Sequence, residues 1–526
     1  MNEDNDNIFN TLAQLRDSRK EKSVLIWQGH SLTVSQIEKA ARQIAGGLQE
    51  LGIKAGDRIA VMLPNVPPYV FIKFGVHLMG GILVPIHTLT RGAELGYQLD
   101  DCEAKVLITW SGFREVADAA MEHTESLRHR IQISASQEKG MIDFTEWMLN
   151  AKSYPGEPVG GGEDIAFIRY TAGVTGRPKG AMITHSNVLY CGKESLRVLK
   201  VSAKDRVLGA IPFYHPFGGA LQLQMVLEAN ATLVMQTRFD PQEAYEMISS
   251  KEISVFIGLP VHFAGLVETA KEETHCGQLR FAISGGGPLD LEVMNRFESI
   301  FSIKIANVYG TCETSPTIAI NPAHREDAPR ESWGRPISGM DVLIVDIHGN
   351  NLPVGRTGEI IVRGPGVFKG YWNRPGATAI TMDSEGWFHT EDLGNIDIDG
   401  YLYGLGRLHD RINKGGFSVY PREIEGVLNA HPAVKVSAVI GVEDPALGEE
   451  IVAYIVPRND AQVDEKAILQ YCSEQLARYK VPKQILTIDQ LPRSPNGEIL
   501  RRALRKPPQS QWDALNITLP QDERQD

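Results

Sequence analysis

Ile165-Ala166-Phe167-Ile168-Arg169-Tyr170 runs directly into Thr171-Ala172-Gly173-Val174-Thr175-Gly176-Arg177-Pro178-Lys179-Gly180. The first stretch is apolar and aromatic with no turn former, so it reads as a strand. The glycines at 173, 176 and 180 then let backbone N–H groups approach an anion closely. Alone, such a loop also fits a plain turn; the Arg-Pro-Lys-Gly ending makes it a much sharper signature. Strand-like apolar runs recur on both sides of it, at 58–63, 104–109, 232–235, 255–258 and 282–284, separated by helical stretches. That alternation over residues 20–330 predicts layered α/β structure with mainly parallel sheets. Near residue 340 the pattern changes. Runs at 342–346 and 358–362, with turns at His348-Gly349-Asn350 and Asp399-Gly400, predict a β-rich section. A smaller α+β unit is expected from His409 onward. The tail from Lys506 is rich in Pro, Gln and Asp and is expected to fray.

Composition narrows the class. A chain of 526 residues is too long for one small core and implies two or three domains. With 42% hydrophobic and 22% charged residues it reads as an ordinary globular protein. A net charge of −12 argues against a nucleic-acid partner. The acidic start, Met1-Asn2-Glu3-Asp4-Asn5-Asp6, does not read as a signal peptide. The most apolar region, 59–86, contains Pro64, Pro67, Pro68, Lys73 and Pro85, which predicts buried strand–helix–strand and no membrane span. Cys102, Cys191, Cys276, Cys312 and Cys472 are scattered without metal-ligand spacing, as expected for reduced thiols in a cytoplasmic protein.

Further segments carry a resemblance. They are Ser284-Gly285-Gly286-Gly287-Pro288, Asn307-Val308-Tyr309-Gly310-Thr311-Cys312-Glu313-Thr314, Gly386-Trp387-Phe388-His389-Thr390-Glu391-Asp392, Gly406-Arg407-Leu408-His409-Asp410 and Pro492-Arg493-Ser494-Pro495-Asn496-Gly497-Glu498. In this order, with the loop at 170–180, they resemble the adenylate-forming superfamily of acyl-CoA ligases, luciferases and peptide-synthetase adenylation domains. The resemblance covers nearly the whole chain. It implies a large N-terminal AMP-binding domain, 1–408, and a small mobile C-terminal lid, 409–526, hinged at His409. It implies an acyl-CoA synthetase working through acyl-AMP.

The resemblance also assigns roles. Thr171, Gly173, Thr175, Gly176 and Lys179 would cradle phosphates. Gly285, Gly286 and Gly287 would line adenine, with Tyr309 packed on it and Asn307, Gly310 and Thr311 in the same nucleotide segment. Cys312 stands where a threonine touches the α-phosphate, and Glu313 would help hold Mg²⁺. Asp392 would accept from both ribose hydroxyls, assisted by Arg407; Glu391 replaces a usual glycine. Lys414, Gly415, Gly416 and Phe417 would line the tunnel for the pantetheine arm of CoA. In Ile211-Pro212-Phe213-Tyr214-His215-Pro216-Phe217-Gly218-Gly219, His215 would orient the acyl-phosphate or gate the thiol; a packed core histidine is the alternative. Amino-acid-activating relatives carry an aspartate after this Phe, so Tyr214-His215 implies a plain organic acid.

The departures cluster. Ala172, Val174 and Cys312 replace hydroxyl residues, and Glu498 replaces the lysine that meets the carboxylate and α-phosphate during activation. Each lost hydrogen bond to phosphate is worth roughly 1.5–3 kcal/mol where formed. An acyl-adenylate carries one phosphate charge and ATP carries about four, so these losses fall harder on ATP. The expected function is therefore acyl transfer from a preformed acyl-adenylate, supplied by a separate adenylating enzyme, to CoA. One alternative is a complete ATP- and Mg²⁺-dependent ligase that uses another lysine, Lys414 or Lys480. The others are a non-catalytic binder of acyl-adenylate or CoA, and a carrier-protein acceptor in place of CoA.

Overall fold

The computed structural model of the chain describes residues 6–19, 21–133, 141–171, 177–250, 252–270, 278–325, 327–415, 417–445, 447–458, 463–493 and 499–505. Packing divides it into a large unit, Met1–Leu343 with Ile361–Thr390 and Asp399–Leu402, and a smaller one, Ile344–Ile360 with Glu391–Ile398 and Tyr403–Asp526. The fold is mixed α/β throughout.

A seven-stranded sheet in the large unit takes the order Ile142–Asp143, His129–Ile133, Val106–Trp110, Arg58–Met62, Ile82–Pro85, Ile165–Thr171, Lys179–Thr184. All neighbours run parallel except the last pair. Ile82–Pro85 is buried along its whole length, as a parallel strand covered on both faces must be. The helix Pro67–Leu78 starts with prolines in its first turn, where a missing N–H costs nothing. The apolar region 59–86 is thus strand–helix–strand. Among the described residues no helix is long and apolar enough to cross a membrane.

Side-chain alternation decides what Ile165–Thr171 presents. Ile168 joins the core with Ala60 and Leu107. Phe167 and Arg169 take the other face, where the Phe167 ring meets His77 edge-on at 4.9 Å. Thr171 lies opposite Lys179 in the antiparallel pair, so residues 172–176 connect the two strands.

The second sheet has nine strands. Its parallel centre contains Arg206–Gly209, Val255–Gly258, Phe281–Gly285 and Lys304–Tyr309. Their carboxyl ends fall on one edge, and the loops that follow carry His215, Gly286, Gly287 and Glu313. Open α/β sheets place ligands at that edge. The β-rich section is a four-stranded sheet in the order Asp341–Val345, Gly358–Arg363, Phe388–Ile396, Leu402–Arg407. The small unit closes on a five-stranded sheet whose long hairpin, Val434–Asp444 with Gly448–Pro457, packs with the helix Pro421–Asn429 around Ile424, Leu428, Val439 and Ile451.

Candidate active site

The strand Lys304–Tyr309 leaves the sheet through Gly310, where any side chain is excluded: a Cβ there would stand 1.8 Å from the Pro316 carbonyl oxygen. A single helical turn, Cys312–Thr314, follows, opened by Thr311 N donating to Thr314 Oγ1 at 2.9 Å. The turn buries Glu313 to 8% exposure. Its Oε1 accepts from the Tyr371 hydroxyl at 2.9 Å, and its backbone carbonyl accepts from Phe368 N at 2.8 Å. Lys179 Nζ stands over the Tyr371 ring, 4.4 Å from its centre. Thr171 Oγ1 donates to the Lys179 carbonyl at 3.5 Å. A carboxylate and an ammonium are thereby fixed on one tyrosine beside the end of the glycine-loop strand. The Tyr309 ring stacks on Trp333, with centroids 4.2 Å apart and planes at 27°.

His215 sits on a clamped segment. Asn65 Nδ2 donates to the Ile211 carbonyl at 3.0 Å, and Asn65 Oδ1 accepts from Phe213 N at 2.8 Å. Beyond it, Phe217–Gln222 winds as a π-helix, a register that recurs at functional sites. His215 Nδ1 accepts from Phe217 N at 3.2 Å, which puts the proton of the neutral ring on Nε2. Burial of the ring, with Arg169, His87 and His262 nearby, holds His215 down to about 3. It is a neutral donor rather than a cation. Gly286 has φ +75°, and a Cβ there would stand 3.2 Å from His215 Cε1. Burial, reinforced by Glu313, pushes the Cys312 thiol up to about 12. It stays protonated, a weak donor where a threonine hydroxyl would be a strong one.

In the small unit the Asp392 carboxylate, in a residue 7% exposed, lies 3.1 Å from Arg407 Nη1. His409, on the turn Leu408–Asp410, points Nε2 at Glu391 Oε1 across 3.4 Å. Glu391 adopts φ +59°, a left-handed conformation that costs a side-chain-bearing residue roughly 1–2 kcal/mol. Lys414 forms an ion pair with Glu450. Lys480 Nζ meets Glu423 Oε1 at 2.5 Å. Ile412–Lys414 and Phe417–Val419 pair antiparallel, Lys414 opposite Phe417. Gly415 takes φ +58° in the turn and its N–H donates to the Leu447 carbonyl at 2.7 Å. Phe417 is 56% exposed and stacks on Tyr479 at 4.8 Å.

Residues 13–372 match the family model of the AMP-binding enzymes, and residues 423–498 match that of the AMP-binding enzyme C-terminal domain. The chain belongs to the AMP-binding enzyme family. Within it, the chain is a member of the acyl-CoA ligase group of adenylate-forming enzymes. It is 31% identical to a feruloyl-CoA synthase of an Amycolatopsis species over 479 residues, 91% of this chain and 94% of that one. It is 32% identical to a long-chain-fatty-acid–CoA ligase of Bacillus subtilis over 522 residues, 92% of this chain and 91% of the relative. The crystal structure of ATP-bound MatB from Rhodopseudomonas palustris superposes with a TM-score of 0.88 at 30% identity, covering 95% of this chain and 98% of that one.

In this AMP-binding enzyme the large unit places Thr171 opposite Lys179 in one sheet and sets Cys312 and Glu313 on the turn after Tyr309 of the other, Tyr371 meeting both Lys179 and Glu313, with His215 against Gly286. Asn307 pairs in register with Ser284, next to Gly285. The small unit pairs Asp392 with Arg407. Gly173, Thr175, Gly176, Gly416 and Glu498, together with Ala172 and Val174, lie outside the described residues. Tyr371, Trp333 and Glu450 escaped sequence reasoning. A turn glycine, Gly370 at φ +123°, immediately before an aromatic pair was the available signal for Tyr371; Trp333 had none.

Proposed function

We propose that this acyl-CoA ligase-family enzyme transfers an acyl group from a preformed acyl-adenylate to the thiol of CoA, with its adenylating half-reaction impaired. The observation that carries this reading is Cys312: a half-buried thiol, held protonated, at the position where the family pattern sets a threonine against the α-phosphate. Glu498, in place of the activating lysine, points the same way. Lys414 and Lys480, the candidates to replace that lysine, are each engaged by a carboxylate, Glu450 and Glu423. His215, neutral with its proton on Nε2, donates to the acyl-phosphate and needs no proton of its own removed at neutral pH. Tyr309 backs the adenine, Asp392 and Arg407 take the ribose, and the turn at Gly415 admits the pantetheine arm close to the backbone. Residues 409–526 rotate about His409 between acyl-adenylate binding and thiol attack. A separate cytoplasmic enzyme supplies the acyl-adenylate.

Glu313 is the residue that would hold Mg²⁺. The ion takes one or two carboxylates and completes its shell with phosphate oxygens and water, and a single carboxylate beside a phosphate loop fits that requirement. It would supply charge neutralisation to a polyphosphate, and only if ATP is used.

A complete ATP-dependent acyl-CoA ligase is the second reading, favoured by the likeness to feruloyl-CoA synthase and to long-chain-fatty-acid–CoA ligase. The experiment compares thioester formation by the unmodified protein from synthetic acyl-adenylates plus CoA with that from the corresponding acids plus ATP, Mg²⁺ and CoA. Fast formation from the adenylates alone supports the proposal. Comparable rates from both support the complete ligase. Tight adenylate binding with no thioester in either arm identifies a non-catalytic relative.

A further inference from the structure

Arg169 lies on the strand that feeds the glycine loop, on the face turned away from the apolar core, and is 3% exposed. Its Nη1 donates to the Tyr214 carbonyl at 3.1 Å, immediately before His215. Its guanidinium carbon stands over the Phe167 ring at 4.4 Å. Nε and Nη2 are buried without any hydrogen-bond partner. Those two nitrogens are the donors on one edge of the guanidinium, the edge that grips a carboxylate or phosphate with two parallel bonds. No carboxylate among the described residues forms an ion pair with Arg169.

The surroundings sharpen the problem. An arginine stays charged in proteins, and a buried charge without a counter-charge is strongly disfavoured. The Lys73 ammonium, also fully buried, binds the Gly219 carbonyl at 3.3 Å, and a Cβ on the same Gly219 would stand 3.5 Å from Arg169 Nη2. Burial and the Arg169 charge lower Lys73 to about 7. Cys312 lies within electrostatic reach of the same guanidinium. Arg169 is therefore a buried cation whose Nε and Nη2 edge meets no anion among the described residues.

We propose that Arg169 is the phosphate receptor of this site, its Nε and Nη2 edge meeting an oxygen of the α-phosphate of the bound adenylate. This rests on the acyl-adenylate reading above and deepens it. The cation missing at position 498 of the small domain is replaced by one fixed within the large unit.

Calorimetric titration of the full chain with adenosine and with AMP tests this. The unmodified protein is expected to bind AMP more tightly than adenosine. Arg169→Gln is expected to reduce that preference by about 10- to 100-fold, the range for a lost charged hydrogen-bond pair, and to leave adenosine affinity unchanged. Arg169→Lys, which keeps the buried charge, is expected to keep part of the preference, and the phosphorus resonance of bound AMP should shift between the Arg and Lys proteins. An unaltered preference for AMP in Arg169→Gln overturns the proposal. If Arg169→Gln fails to fold, an unchanged preference and an unchanged phosphorus resonance in Arg169→Lys overturn it instead. Failure of the function reading is separate: it appears as no thioester from acyl-adenylate while the AMP preference still depends on Arg169. Wild-type protein that binds neither adenosine nor AMP defeats both.

Discussion

Asp392 Oδ1 and Arg407 Nη1 stand 3.1 Å apart, a buried carboxylate held by a half-exposed guanidinium. An exposed-edge pair of this kind contributes little to stability, because solvent screens it and ordering the side chains opposes it. In the proposed nucleotide site its role is orientation: the guanidinium fixes which carboxylate edge faces the ribose diol. Asp392→Ala is expected to weaken AMP or acyl-adenylate binding by roughly 1.5–3 kcal/mol, the range for hydrogen bonds to a charged group. Thermal unfolding should change little. Calorimetry that finds the same affinity in the variant removes Asp392 from the nucleotide site.

The same pair marks the limit of what the sequence discloses. Strands at 165–170, 232–235 and 255–258 are legible because a strand covered on both faces must be a continuous apolar run. The observed Ile165–Thr171, Thr232–Met235 and Val255–Gly258 follow directly. Asp392 and Glu313 are legible as motif members, but their partners are not. Tyr371 reaches Glu313 across 58 residues of chain, and no local pattern encodes that meeting. Trp333 under Tyr309 is the same case. The π-helix at Phe217–Gln222 is too short to leave a period in the sequence. Arg169 could be placed on a strand, but only packing reveals that its side chain is buried over the Phe167 ring and against the Tyr214 carbonyl rather than in solvent.

Buried neutral histidines make a pH prediction. Burial holds His262 down to about 4; His185 is likewise held to about 4, with Lys73 reinforcing burial and Asp164 opposing it. His215 falls to about 3. In the unfolded chain each takes a proton near pH 6.5. Between that value and about 4 the unfolded state binds more protons, so stability is complete above about pH 6.5 and falls as the pH drops. Each such histidine contributes a slope of about 1.4 kcal/mol per pH unit in that window. The urea midpoint should therefore decrease from pH 7.5 to pH 5, and His262→Gln should make the decrease shallower. A midpoint independent of pH over this range contradicts the assigned burial.

The Glu391–His409 contact bears on the proposed hinge at His409. Glu391 holds an unfavourable φ of +59° and His409 faces it at 3.4 Å. Glu391→Gly relieves roughly 1–2 kcal/mol of backbone strain. It also removes the partner of His409, so the net stability change is expected to be small and positive. His409→Pro fixes one of the dihedrals a hinge must change. Thioester formation from supplied acyl-adenylate should slow markedly while adenylate affinity, measured by calorimetry, stays within about 0.5 kcal/mol, the usual range for surface substitutions. Equal loss of affinity and rate places the hinge elsewhere.

Glu498 offers the most direct test of the proposed impairment of activation. On the proposed reading, the acid at a position where the family carries a lysine opposes the negative charge that develops as a carboxylate attacks the α-phosphate. Removing one preorganised donor from such a site costs on the order of 100- to 1000-fold in rate, and reversing a charge should cost at least that. Glu498→Lys combined with Cys312→Thr, Ala172→Ser and Val174→Thr is therefore expected to raise acid-dependent exchange between ATP and labelled pyrophosphate by about 100-fold or more over the unmodified protein. The lid-borne lysine should not alter thiol attack, so thioester formation from supplied acyl-adenylate is expected to stay within a few-fold. Glu498→Lys alone should give a smaller gain, because Cys312 still stands as a weak donor at the proposed phosphate position. Exchange by the unmodified protein at the turnover of ordinary enzymes, roughly 1–1000 per second, would refute an impaired first half-reaction and leave a complete ligase whose activating cation lies elsewhere.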